Sequence, residues 1–301
     1  MKKIVGYLKA YFQSQHKWVL LCATLFTALA VYCNYHYSLN KKINHLDGLW
    51  PFVAWYTLFL LVFSFGYGLQ KFFLKSTVFS HRKFVLLLLL APAIFAWKMA
   101  FVFDVTFSND VFENEYWNAV LYWPFKVVMI SGMLLLVHRA FDRDQPFYGV
   151  TLKNFSLRPY LIMLLIMVPL VAAASTQKDF LHMYPRMQNI EFLQQPGKGF
   201  YKLLYQLSYG SDFFSIELFF RGFLVLAFAK WAGKEAILPM AMFYCTIHFG
   251  KPLGECISSY FGGMILGIVS YHTRTILGGF MVHVGIAWLM ELGGYLGQQF
   301  S

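Results

Sequence analysis

Long apolar runs separated by short polar stretches dominate this chain. A helix needs about 20 residues at about 1.5 Å each to cross a hydrocarbon layer of about 30 Å. On that measure the candidate spans are 18–38, 50–70, 84–103, 119–138, 160–175, 203–229, 235–250, 256–272 and 276–293. Two of these nine are short for a crossing, so the pattern predicts an all-α, polytopic transmembrane bundle of about eight or nine helices. The first run follows Met1-Lys2-Lys3 and extends from Trp18 to about Leu39. It is longer than the roughly 7–15 apolar residues of a signal peptide and reads as a spanning helix, despite Ala28-Leu29-Ala30 imitating a cleavage site. The polar stretches 139–159 and 176–202 carry Phe147, Tyr148, Phe192 and Phe200, which suit segments lying at the membrane–water boundary. The expectation is one integral membrane domain over residues 1–301, with no internal repeat.

Composition agrees with the pattern and narrows the class. Apolar residues make up 58% of the 301, and only 13% are charged against about 25% in ordinary soluble domains. That excludes a soluble two-domain enzyme, a disordered chain and a coiled coil. The net charge of +11 would point to nucleic acid in a soluble protein. Here the basic residues gather in short loops beside apolar runs, so the expected partner is the lipid bilayer and not a nucleic acid. With the N-terminus placed in the cytoplasm, fifteen Lys and Arg fall in inside loops and seven in outside loops, with Lys98, Lys126 and Arg221 within spans. This bias predicts a cytoplasmic N-terminus. Lys98 and Lys126 sit near the predicted span ends, where long side chains reach back to water. Cys22, Cys33, Cys245 and Cys256 form no CxxC pair and read as packing residues.

An ionisable side chain in the middle of a span costs about 2.5–3.5 kcal/mol on insertion scales and needs a reason. The last third of the chain holds several. Glu217 and Arg221 lie four apart in the run 203–229, His248 in the following run and His283 in the last. Each has a structural explanation of its own: a charge-neutralising pair, or an imidazole bonding between helices. Together they form a set that the first five spans lack. A carboxylate beside a neutral imidazole can take a proton from water while a second imidazole donates to an oxyanion. Alternatively, Glu217, His248 and His283 could hold a divalent zinc with an open position for water. Both lead to hydrolysis within the membrane, and the residues alone do not separate them.

At these positions the chain resembles the CAAX protease and bacteriocin-processing (CPBP, or Abi) family, in particular its type II CAAX prenyl proteases. Ile216-Glu217-Leu218-Phe219-Phe220-Arg221-Gly222 resembles the family's EExxxR-Gly motif, and Tyr244-Cys245-Thr246-Ile247-His248 its FxxxH motif, with Tyr for Phe. Gly262 to Gly267 and Tyr271 to Thr275 resemble the glycine-rich helix and basic loop that follow. His283-Val284-Gly285-Ile286-Ala287 aligns with HxxxN. The motif-bearing core covers 203–293. The resemblance implies an intramembrane endopeptidase acting on a membrane-associated peptide or protein, with Glu217, His248 and His283 catalytic and Arg221 and Tyr244 supporting. Two positions depart from the pattern. Ile216 replaces the first Glu, usually credited with activating water, and Ala287 replaces an Asn that donates to the oxyanion. Loss of one such donor costs about 10²–10³ in rate. A catalytically degenerate homologue serving as a scaffold or chaperone is the alternative that these two residues motivate. A transporter, suggested only by polar residues in a many-span chain, is the third reading.

Overall fold

A computed structural model describes residues 2–153 and 155–300 of the chain, and no β-strand occurs among them. In chain order the helices are α1 (Lys2–Ser14), α2 (Lys17–Tyr37), α3 (Leu39–Asn44), α4 (Trp50–Leu74), α5 (Arg82–Ala100), α6 (Val111–Phe141), α7 (Leu157–Ala174) and α8 (Lys178–Met183). They continue as α9 (Gly199–Glu217), a π-helical run Leu218–Ala227, α10 (Ala229–Ala232), α11 (Ile237–Thr246), α12 (Leu253–Thr273) and α13 (Leu277–Phe300). Seven of these, α2, α4, α5, α6, α7, α12 and α13, are long and apolar enough to cross a bilayer. This is a multi-pass integral membrane protein.

The helices are patterned for lipid rather than water. On α2 the exposed row is Trp18, Leu21, Leu25, Leu29 and Tyr32, whereas Val19, Ala23, Thr27 and Val31 are buried. Large side chains face outward and smaller ones face the protein, as expected where close packing rather than water exclusion joins helices. On α7, Leu161, Leu165, Ile166 and Leu170 are exposed in the same way.

The contacts divide the chain into two compact units. One comprises Met1–Phe101, Met133–Phe155 and Leu218–Ile276. Its centre is α11, all ten residues of which are buried. Ten helical residues rise only about 15 Å, half the hydrocarbon thickness. The predicted span 235–250 is therefore an inner helix enclosed by protein. Neighbouring helices reach it through small residues. A Cβ on Gly263 would stand 2.9 Å from Tyr244 Cδ1, and one on Gly267 would stand 2.6 Å from Met240 Cε, so both glycines ease the close approach of α12. Phe59, Phe63, Phe95, Phe219 and Phe220 surround Phe243 at ring separations of 4.7–6.0 Å.

The same unit contains a loop that packs on the π-helical run. Asp142, fully buried, accepts the Tyr148 hydroxyl (2.8 Å) and Lys230 Nζ (3.0 Å). Tyr148 in turn brings its backbone against Gly222, where a Cβ would lie 2.5 Å from the Tyr148 carbonyl oxygen. The Gly149 carbonyl accepts the Ile276 N–H (3.0 Å) and the Thr151 carbonyl the Thr275 hydroxyl (2.6 Å). Tyr148, expected at the membrane boundary, is thus an internal clamp at 1% exposure.

The second unit comprises Val102–Gly132, Ser156–Glu217 and Leu277–Ser301. In it α13 packs on α7 and α9. Gly278 and Gly285 of α13 leave room for Tyr160 and Leu164 of α7. Phe192, another expected boundary aromatic, is buried with Tyr116, Trp123, Tyr205 and Tyr209, and of the four only Phe200 is strongly exposed, at 70%. The snorkelling expected of Lys98 and Lys126 is also overturned: both are buried, at 4% exposure. Lys126 lies at the middle of α6, because that helix begins at Val111 rather than near 119. Its ammonium donates to the Tyr122 hydroxyl.

Candidate active-site residues

Glu217 ends α9 and its side chain is fully buried. Its Oε1 lies 3.1 Å from His283 Nδ1, on the second turn of α13. Phe213, four residues before Glu217 and so on the same α-helical face, lays its ring on the His283 imidazole at a centroid distance of 4.4 Å. The carboxylate also has a steric partner. A Cβ on Gly279 would overlap Glu217 Oε2, so the absence of a side chain there creates the space that the carboxylate fills. With Glu217 ionised, His283 Nδ1 carries the proton and Nε2 is the acceptor in the neutral ring. The carboxylate then fixes the tautomer and stabilises the imidazolium when one forms.

Arg221 and His248 belong to the other unit, where Tyr244 lies between them. The Arg221 guanidinium carbon stands 4.2 Å from the centre of the Tyr244 ring, a cation–π contact. The His248 ring meets the same tyrosine ring edge-on, with centroids 4.7 Å apart, and its Nδ1 lies 2.9 Å from the Tyr244 carbonyl oxygen. A carbonyl only accepts, so Nδ1 donates and Nε2 is again the acceptor of the neutral imidazole. His248 is not within a span, as the sequence pattern had it. It sits in the turn after α11, where its own N–H bonds the Cys245 carbonyl at 3.1 Å. A helix that ends at Thr246 delivers this imidazole from an irregular, partly buried segment.

The run that carries Arg221 is π-helical from Leu218 to Ala227, and all ten of its residues are buried. Such runs are rare and favour functional positions. The i→i+5 turn gives this run a register different from that of an α-helix. Gly222, the glycine of the motif, is where Tyr148 packs.

The two departures from the expected motifs are both buried. Ile216 has 8% exposure, and Ala287 has 3% within the cluster of Tyr116, Trp123, Tyr205 and Tyr209. Ala287 offers no donor and is enclosed by aromatic rings. Among the described residues no group of three or more His, Cys, Asp and Glu comes together in a set able to hold a metal ion. Glu217 and His283 are a two-member set, one fewer than the three protein ligands of a catalytic zinc.

Sequence reasoning did not find Gly279 or Phe213, which frame the carboxylate and imidazole. Gly279 lies four residues before His283 on α13, a signal that has meaning only once Glu217 is known to face that helix. No curated protein and no solved structure matches the chain. Residues 211–289, which include Glu217, Arg221, Tyr244, His248 and His283, match the family model described as type II CAAX prenyl endopeptidase Rce1-like.

Proposed function

We propose that this protein is an intramembrane endopeptidase that hydrolyses a peptide bond of a membrane-associated protein or peptide, using water activated by Glu217 and histidine. The observation that supports this reading is the buried Glu217–His283 pair, 3.1 Å apart, in a segment that matches a CAAX endopeptidase family. The proton of the attacking water goes to this pair: the carboxylate holds Nδ1 of His283, which leaves Nε2 as the acceptor. The water oxygen adds to the peptide carbonyl carbon, and the held proton passes to the amine as the C–N bond breaks. The motif order, rather than a distance, assigns His248 to the same reaction. Its Nε2 orients the water in the neutral ring, or donates to the oxyanion once protonated. Arg221 and Tyr244 support that side. The family match makes a prenylated peptide ending in CaaX the first substrate to test. The cytoplasmic N-terminus read from the loop charges would place the basic loops on the face where such tails occur.

The assay is cleavage of that peptide by the reconstituted full chain, with Glu217→Gln, His248→Ala and His283→Ala alongside. Each variant is expected to lose about 10² or more in kcat/KM. Equal turnover in all four would defeat the proposal. The second reading is a membrane scaffold that kept the fold, favoured by Ile216 and Ala287. It predicts no cleavage by the wild-type protein and no effect of the three substitutions on partner binding.

A further inference from the structure

The strongest charge feature outside these residues is a basic basin of about 620 Å³ in the first unit. Lys83 enters it from the start of α5, Arg139 and Arg143 from the end of α6 and the loop beyond, and Lys230 from α10. Asp144 is the single acidic residue in its lining, and the buried Asp142 lies beneath Lys230. Four cations brought together from three separate stretches of chain, against two carboxylates, leave a positive excess that an anion would relieve. The backbone fixes part of the arrangement: Arg143 Nε donates to the Arg139 carbonyl, and Lys230 is tethered by Asp142 at 3.0 Å and Asp144 at 3.4 Å. Hydrogen bonding by its own backbone, then the Lys230 and Lys83 charges, hold the Asp144 carboxyl below the usual carboxylate range.

Its position selects the kind of anion. Lys83 is the second residue of a spanning helix and Arg139 is the third from the end of another, so the basin lies where spans meet water. Exposed apolar side chains run away from it along both helices, Leu86 and Leu89 on α5 and Leu135 and Leu136 on α6. A polar head in the basin and acyl chains along these rows would satisfy both surfaces of one lipid. Basic pockets between spanning helices at the membrane boundary are suited to phosphate-bearing headgroups. We propose that this basin binds the phosphate of an anionic phospholipid.

The test uses the purified full chain and native mass spectrometry, with phosphatidylglycerol, phosphatidylcholine and inorganic phosphate as probes. Phosphatidylglycerol should be retained one to one and phosphatidylcholine displaced. The variant carrying both Arg139→Gln and Arg143→Gln should bind phosphatidylglycerol roughly thirtyfold more weakly, from about fivefold per cation near the headgroups. A variant with Lys9→Gln and Lys17→Gln, which loses the same charge outside the basin, should bind like wild type. Inorganic phosphate that displaces the lipid at similar concentration would identify a free phosphate as the occupant and overturn the lipid assignment. Equal weakening in both double variants, or none in the arginine variant, would overturn the basin itself.

Discussion

Glu217 is a carboxylate whose surroundings are set by two neighbours on α13: His283, which bonds one oxygen, and Gly279, whose missing side chain gives room to the other. A Gly279→Ala substitution places a methyl group in the space of Oε2, so either the carboxylate rotates or α13 shifts. Overpacking of this kind costs about 1–3 kcal/mol. Peptidase activity is expected to fall at least about tenfold, with a lower melting temperature; wild-type activity in a folded Gly279→Ala protein would show that the carboxylate's placement does not matter. Glu217 and His283 were legible in the sequence because ionisable groups are rare in apolar runs and demand a reason. Gly279 was not, since a glycine in a glycine-rich helix acquires meaning only from the atom it faces. The depth of Lys126 is hidden from the sequence for a different reason. The polar start of α6, with Glu113, Asn114, Glu115 and Asn118, looks like a loop, and moving the helix start to Val111 moves this lysine from the edge to the middle.

At the scale of elements, the Asp142 clamp holds the loop after α6 on the π-helical run. Replacing Lys230 with Met leaves a fully buried carboxylate with only the Tyr148 hydroxyl. Breaking a buried pair costs about 3–5 kcal/mol, and the 28% exposure of Lys230 lowers this to roughly 2 kcal/mol, to be read by thermal or denaturant unfolding in detergent. No loss of stability would mean that the clamp is not a structural support. Glu235, just ahead of α11, gives a pH-dependent case. Burial raises its pKa above the ordinary value against the opposing charge of Lys234. A carboxyl whose folded pKa is raised favours the folded state while protonated, and this contribution is lost as pH rises through that range. Glu235→Gln, which stays neutral, is expected to raise the melting temperature at pH 7 relative to wild type and to change it little at acidic pH. A lower melting temperature at neutral pH would contradict that sign. Most of the spans are legible in the sequence, because their length and hydropathy follow directly from bilayer thickness. What hydropathy could not distinguish was a crossing helix from an enclosed one: the segment 235–250 is as apolar as its neighbours, and only packing reveals α11 as a short inner element.

For the whole molecule, a membrane protein whose residues 211–289 match a CAAX endopeptidase family model lacks two of the polar groups expected of that family's motifs, Ile216 and Ala287 standing in their places. In the proposed reaction the chemistry falls to what remains, with Glu217, His283 and His248 serving a single water. Groups that serve one chemical event are strongly non-additive when removed together. The decisive measurement is therefore a double-mutant cycle in peptide cleavage, comparing wild type, Glu217→Gln, His248→Ala and the double variant. Each single substitution is expected to lower kcat by about 10² or more, and the double variant to be little worse than the weaker single one. Losses that multiply, or a Glu217→Gln protein that cleaves at the wild-type rate, would contradict it.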